Sequence, residues 1–84
     1  MNNKHRETLR KIFDVPVRGD VAWRDVEKLF IALGADVSEG SGSRVRVALG
    51  GVRAVFHRPH PAPVTDKGSL KSVRRFLEQA GEKP

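Results

Sequence analysis

The sequence of 84 residues contains no cysteine, so it can form neither a disulfide framework nor a thiolate metal site. It also lacks any apolar run that approaches the ~18 residues needed to cross a membrane. Its first residues, MNNKHRETLRK, are polar and have no apolar core typical of a signal sequence. We therefore expect a cytoplasmic protein with no membrane partner.

Acidic residues are scarce in one segment of the chain. Residues 41–75 contain eight Lys and Arg and one acid, Asp66, which gives this segment a net charge of +7. Residues 1–40 are neutral and residues 76–84 carry −1, so this segment accounts for the whole +6 of the chain. Charge concentrated in this way indicates a polyanionic partner. His57 and His60 lie in the same segment.

Neither a metal site nor a nucleotide-binding glycine loop is expected. The few acids are not clustered near the histidines, and two histidines with Asp66 do not make a recognisable ligand set. The paired glycines at 40/42 and 50/51 are each followed by a predicted strand, whereas a phosphate-binding loop is followed by a helix. We therefore predict no metal and no cofactor.

Apolar residues at helical spacing predict three helices. The first spans residues 5–13 and ends before Pro16. The second spans residues 21–33, with Asp20 as its N-terminal cap. The third begins at Asp66 or Ser69 and ends before Gly81. Its apolar positions follow a helical period: Leu70, Val73, Phe76, Leu77 and Ala80.

Between the second and third helices the pattern changes to strands. Residues 35–38 are compatible with a short strand, and residues 44–49 and 52–57 alternate around Gly50-Gly51, a strong hairpin signal. The fold class is therefore α+β, with helices packed on one face of a three-stranded antiparallel sheet. We expect one domain over residues 1–84, with a helical extension at 1–18 and an α-β-β-β-α core at 20–81.

A two-residue turn also fixes which residues of the hairpin face each other. Three apolar pairs share one face, which must meet the helices: Leu49 with Val52, Val47 with Ala54, and Val45 with Phe56. The other face pairs Ala48 with Arg53, Arg46 with Val55, and Arg44 with His57. Opposed Cβ atoms lie ~5 Å apart. This register predicts that the Arg44 guanidinium lies beside the His57 imidazole, away from the core.

Several short motifs occur in a specific order along the chain: Gly42-Ser43-Arg44, Pro59-His60-Pro61, Gly68-Ser69-Leu70-Lys71-Ser72 and Phe76-Leu77-Glu78-Gln79-Ala80-Gly81. Together they resemble the HicA (YcfA-like) toxin family over roughly residues 22–81. The resemblance implies a double-stranded-RNA-binding-domain-like fold, mRNA interferase activity, which is endoribonuclease activity, and inhibition by a HicB-type antitoxin. We expect the free chain to be a monomer.

One position departs from the family. Where the family has its catalytic histidine, this sequence has Arg44. The hairpin register suggests that His57, across from Arg44, supplies the imidazole instead and acts as general base. Arg44 would then hold the scissile phosphate, and His60 is a candidate acid. Imidazole can exchange a proton near neutral pH, and a planar guanidinium fits two phosphate oxygens.

Further polar and basic residues are predicted to contact RNA: Ser43, Arg46, Arg53, Arg58, Lys67, Lys71 and Arg74. Each of these can instead belong to an ordinary solvated surface. Two other functions also remain open. One is a non-catalytic RNA-binding or regulatory module that keeps the fold without cleaving. The other is a DNA-binding or ribosome-associated basic protein, which a preference for RNA over DNA would argue against, because the 2′-OH distinguishes the two.

Overall fold

The second and third helices pack on one face of a three-stranded antiparallel sheet, and the first helix packs on those two helices, in the computed structural model, which describes residues 1–60 and 63–84. Pro61, part of one quoted motif, lies outside the described residues. The predicted α+β class is confirmed. The elements in chain order are α1 (Asn3–Ile12), α2 (Trp23–Ala32), β1 (Asp36–Glu39), β2 (Arg44–Leu49), β3 (Val52–His57) and α3 (Lys67–Gln79).

Helix α1 begins two residues earlier than predicted because Asn2 caps it. The Asn2 side-chain oxygen accepts a hydrogen bond of 2.9 Å from the His5 backbone N–H, which satisfies a donor that the first turn leaves without a partner. Leu9 and Ile12 are buried on the opposite side of the helix from its charged residues. The extension is therefore part of the hydrophobic core.

The predicted cap of α2 is wrong. The N-cap residue is Ala22, which has no side-chain capping bond. The first helical N–H, that of Trp23, donates instead to the Pro63 carbonyl at 2.9 Å. Asp20 lies two residues before the cap and accepts hydrogen bonds from Arg18, which lower the pKa of Asp20 to about 2. A contact distant in sequence has replaced the local cap.

Of the two starts predicted for α3, Asp66 and Ser69, the structure has Asp66 as the N-terminal cap. The Asp66 carboxylate accepts a 3.1 Å hydrogen bond from the Ser69 N–H, and the hydrogen bond with Ser69 lowers the pKa of Asp66. Ala80 is partly buried. The other four predicted apolar positions are buried: Leu70, Val73, Phe76 and Leu77. This row of side chains holds α3 on the sheet.

The predicted hairpin register is confirmed at every pair from Leu49–Val52 to Arg44–His57. Gly50 and Gly51 have φ of +57° and +80°, which a type I′ turn requires at both positions. A Cβ on Gly50 would also lie 3.3 Å from the Ala80 carbonyl oxygen, so the turn packs tightly against the end of α3. Strand β1 pairs with β2 and begins one residue later than predicted.

The centre of the core is an aromatic cluster between the sheet and the helices. The rings of Phe30, Phe56 and Phe76 lie 5.6 to 5.8 Å apart, centroid to centroid. Trp23 packs against Phe56 at 6.0 Å. These residues come from α2, β3 and α3, so the three elements share one apolar interior. Aromatic pairs of this kind add about 0.5–1.5 kcal/mol each to their burial.

Arg74 fixes the end of α1 to α3. Its Nε donates to the Ile12 carbonyl at 3.0 Å, and its Nη2 donates to the Asp14 carbonyl. The guanidinium also lies 5.7 Å from the centre of the Phe13 ring. Carbonyls at the end of a helix have no partner within the helix. Arg74, predicted to contact RNA, therefore has two of its nitrogens engaged within the protein.

We expect Arg74→Ala to lower the free energy of unfolding by about 1.5–3 kcal/mol, the range for hydrogen bonds made by charged groups. Arg75→Ala is the matched control, because Arg75 is exposed on the same helix and exposed substitutions usually change stability by less than about 0.5 kcal/mol. Urea denaturation of both variants measures the difference. Equal stability of the two variants would contradict this role.

Candidate nucleic-acid interface

Alternation along the strands gives the sheet two different faces. One packs on the helices and includes the buried residues Val45, Val47 and Phe56. The register places eight other residues on the opposite side, which we call the outer sheet face: Asp36, Ser38, Arg44, Arg46, Ala48, Arg53, Val55 and His57. No helix of the described residues packs on this side, and most of its side chains are exposed.

Arg44 and His57 lie directly opposite each other on the outer sheet face, as predicted. The neighbouring pair is hydrogen-bonded, since the Arg58 N–H donates to the Ser43 carbonyl at 2.9 Å. Pairs alternate in an antiparallel ladder, so Arg44 and His57 form a non-hydrogen-bonded pair, in which the Cα atoms lie ~4.5 Å apart and the side chains are closest. Both residues are exposed.

The outer sheet face is basic and slightly concave. Within the described part of the chain, no ion pair involves Arg44, Arg46 or Arg53. A shallow depression of about 510 Å³ is lined by Asp36, Ser38, Arg46, Val47, Ala48, Arg53, Ala54 and Val55. Exposed guanidinium groups concentrated on one small surface create a positive field that favours a polyanion.

Arg58 lies on the other side of the sheet. It donates to both carboxylate oxygens of Glu27, at 2.8 and 3.0 Å, and to Glu39. The bond to Arg58 lowers the pKa of Glu27, and the Trp23 indole also donates to that carboxylate. The structure therefore does not bring Arg58 to the outer sheet face. The alternation of β3 could have predicted the position of Arg58, because residue 58 continues the series 52, 54, 56 that faces the helices.

The other predicted residues are also distributed over different surfaces. Lys67 and Lys71 are exposed on α3, which packs on the helical side of the sheet, so they do not join the outer sheet face. Ser43 is exposed just before β2. His60 is exposed in the loop after β3, three residues beyond His57. The structure thus brings together Arg44, Arg46, Arg53 and His57 and leaves the others outside that group.

Residues 1–60 and 63–84 contain no group of three or more His, Asp or Glu side chains placed to hold a metal ion. None of the described helices is long and apolar enough to cross a membrane.

Comparison with known proteins gave one family. The family model described as "HicA toxin of bacterial toxin-antitoxin" matches residues 23–82. This range starts at the first residue of α2 and includes the whole sheet and α3, while α1 lies outside it. Searches of curated proteins and of solved structures found no match. The resemblance expected from the motifs over residues 22–81 is confirmed at the level of the family.

We expect the stability of the Glu27→Gln variant against unfolding to decrease less in acid than that of the wild type. The folded protein lowers the pKa of Glu27 below its ordinary 4.5. Its ion pair therefore contributes stability above pH 4.5, and this contribution is lost as the pH falls through the lowered pKa. Thermal unfolding between about pH 7 and pH 3 should show a smaller decrease for Glu27→Gln than for the wild type.

The matched control is Glu78→Gln, which removes an exposed glutamate on α3 that makes no ion pair with described residues. Its decrease in acid should equal that of the wild type. Parallel pH curves for all three proteins would show that the Arg58–Glu27 pair does not contribute in this way.

Proposed function

The chain belongs to the HicA toxin family of bacterial toxin–antitoxin systems, and we propose that it is a toxin that binds and cleaves mRNA on its outer sheet face. The observation that carries this proposal is the Arg44–His57 pair, a guanidinium and an imidazole directly opposite each other on an exposed basic surface. The family membership supports the assignment as a toxin. The pair provides the two groups that RNA cleavage needs, a base and a cation that holds the phosphate.

RNA binding would come mainly from three arginines. Arg44, Arg46 and Arg53 are exposed on the same face, and each guanidinium can donate two parallel hydrogen bonds to one phosphate. Arg46 and Arg53 lie in the depression, whereas Arg44 lies at the end of the sheet beside His57. A strand of RNA along the depression would thereby deliver a phosphate to the Arg44–His57 pair.

Cleavage needs no metal in this proposal. His57 takes the proton of a ribose 2′-OH, and the 2′ oxygen attacks the adjacent phosphorus. The P–O5′ bond breaks, giving a 2′,3′-cyclic phosphate and a 5′ oxygen that takes a proton from water or from His60, the candidate acid in the loop after β3. The charge that develops on the phosphate oxygens is stabilised by the Arg44 guanidinium, a fixed donor of the kind that lowers such barriers.

A histidine supplied by the opposite strand would compensate for the departure from the family. The family's catalytic histidine stands at the position of Arg44. In a non-hydrogen-bonded pair the opposite side chain is the nearest neighbour on that face, so an imidazole at His57 can reach the same substrate atoms. The base and the phosphate clamp would then come from neighbouring strands.

Regulation would come from a HicB-type antitoxin. An acidic antitoxin surface that covers Arg44, Arg46 and Arg53 would exclude RNA by occupying the same positive field. Charge complementarity of this kind mainly accelerates association. We propose the free chain to be a monomer that becomes inactive on binding this partner.

A non-catalytic RNA-binding module is the second candidate. It is favoured by the motif resemblance, which puts Arg44 at the position of the family's catalytic histidine. Expression of the chain alone in cells distinguishes the two functions, because a catalytic toxin arrests growth and fragments mRNA, whereas a binding module leaves mRNA intact.

We expect His57→Ala to abolish growth arrest and to reduce RNA cleavage by ~10²–10⁴, the usual contribution of a general base. Arg44→His restores the family's residue and should keep or increase activity. His60→Ala should have a smaller effect than His57→Ala. His5→Ala is the control, since His5 lies in α1, outside the family match. Wild-type cleavage by purified His57→Ala would exclude this mechanism.

RNA affinity should depend on salt through the three arginines. With ~0.7 per phosphate contact on single strands, the slope of log K against log salt should be about −2. The double variant Arg46→Ala/Arg53→Ala should reduce it to about −0.7, whereas Arg75→Ala should not change it. Fluorescence anisotropy with 2′-O-methyl RNA measures binding without cleavage. An unchanged slope in the double variant would count against this surface.

A further inference from the structure

Strand β3 presents a row of backbone N–H and C=O groups that point away from the sheet. The sheet order is β1-β2-β3, so β3 lies at an edge. The hydrogen-bonded Ser43–Arg58 pair sets the alternation of the ladder, which points the N–H and C=O groups of Arg53, Val55 and His57 away from β2. Within residues 1–60 and 63–84, these groups make no backbone hydrogen bond outside the strand pairing.

This edge has little protection against another strand. Natural edges are commonly blunted by proline, bulges, inward-pointing charges or short length. Strand β3 has six residues, no proline, and inward-facing side chains that are all apolar: Val52, Ala54 and Phe56. Strand β1, at the other edge, has only four residues and begins and ends with acids, Asp36 and Glu39. The β3 edge is thus the better acceptor.

The side chains along the β3 edge specify the chemistry of an added strand. Arg53, Val55 and His57 all lie on the outer sheet face, and Val55 is 55% exposed. In an antiparallel strand, the residues directly opposite would contact these side chains on the same face. An acid opposite Arg53, an apolar residue opposite Val55 and an acid opposite His57 would match all three.

Two other occupants fit less well. A second copy that pairs its β3 antiparallel about Val55 would place Arg53 of one strand opposite His57 of the other, so neither residue would face the carboxylate that stabilises an opposed basic side chain. RNA has no regular series of amide groups at strand spacing, so it would engage the arginine side chains rather than the backbone edge. Both the charge and the backbone groups favour an acidic polypeptide.

We propose that the β3 edge is a strand-addition site for an extended segment with an acid-x-apolar-x-acid pattern, supplied by the antitoxin. The inference rests on the proposed function for the identity of the protein that carries the segment. Such a strand would place its carboxylates beside Arg53 and His57. Strand addition would thus occupy the RNA surface and the proposed base in one step.

Amide hydrogen exchange followed by NMR tests the site in the full chain. The probe is the capped peptide Thr-Glu-Thr-Val-Thr-Glu-Thr, and the control is Thr-Lys-Thr-Val-Thr-Lys-Thr. At a concentration ten times its Kd, the acidic peptide should slow exchange at Arg53, Val55 and His57 by about tenfold. The lysine peptide should leave these three amides unchanged.

Two variants of Val55 distinguish the contribution of its backbone N–H to peptide binding from the contribution of its side chain. Val55→Pro removes the central outward N–H, and proline is tolerated in an edge strand where the N–H faces solvent. Val55→Pro should no longer bind the acidic peptide, whereas Val55→Thr, which keeps the N–H, should still bind it. Slow exchange at Ala54 and Phe56 in both variants checks that the β2–β3 ladder is intact.

Four outcomes would overturn the site. They are protection by neither peptide, equal protection by both, protection that rises with the concentration of the chain alone, and the same protection by 2′-O-methyl RNA. The third would indicate a second copy at the edge, and the fourth would indicate RNA. Protection by the acidic peptide in a chain that leaves mRNA intact would instead contradict the proposed catalysis, and the strand-addition site would stand.

Discussion

The two-residue turn at Gly50 and Gly51 is the constraint on which the rest of the structure depends. Both residues have positive φ, which glycine adopts without steric cost. A turn of this length leaves no freedom in the register, and a shift of one residue would exchange the two faces of each strand. It would bury Arg44 and Arg46 and expose Phe56. One turn therefore fixes both the apolar interior and the basic surface.

Features governed by local periodicity could be predicted from the sequence. The hairpin pairing and the cap at Asp66 required only neighbouring residues, and both are observed. The cap of α2 could not be predicted, because the Trp23 N–H is satisfied by Pro63, forty residues away in sequence. Asp20 is a good capping residue in isolation, but a contact between distant segments was the stronger determinant.

The hairpin register correctly predicted the face on which Arg44, Arg46 and Arg53 lie, but the contacts of Arg58 and Arg74 were not predicted. Arg58 could have been assigned to the helical side from strand alternation alone. Arg74 could not, since its partners are carbonyls at the end of a helix that lies more than fifty residues earlier. An arginine that stabilises the fold and an arginine that binds a ligand look the same in the amino-acid composition. Only their contacts in the folded protein distinguish the two roles.

Helix α1 belongs to the packed helical side of the protein and not to the outer sheet face. It lies outside the family match, yet Leu9 and Ile12 are part of the core and Arg74 holds its end. The helical side of the sheet is therefore covered by α2 and α3, with α1 packed on those two helices. The outer sheet face and the β3 edge remain accessible, and they share Arg53 and His57. If RNA and an inhibitory strand bind as proposed, both need Arg53 and His57, so they would compete for one surface, and inhibition would need no conformational change in the chain.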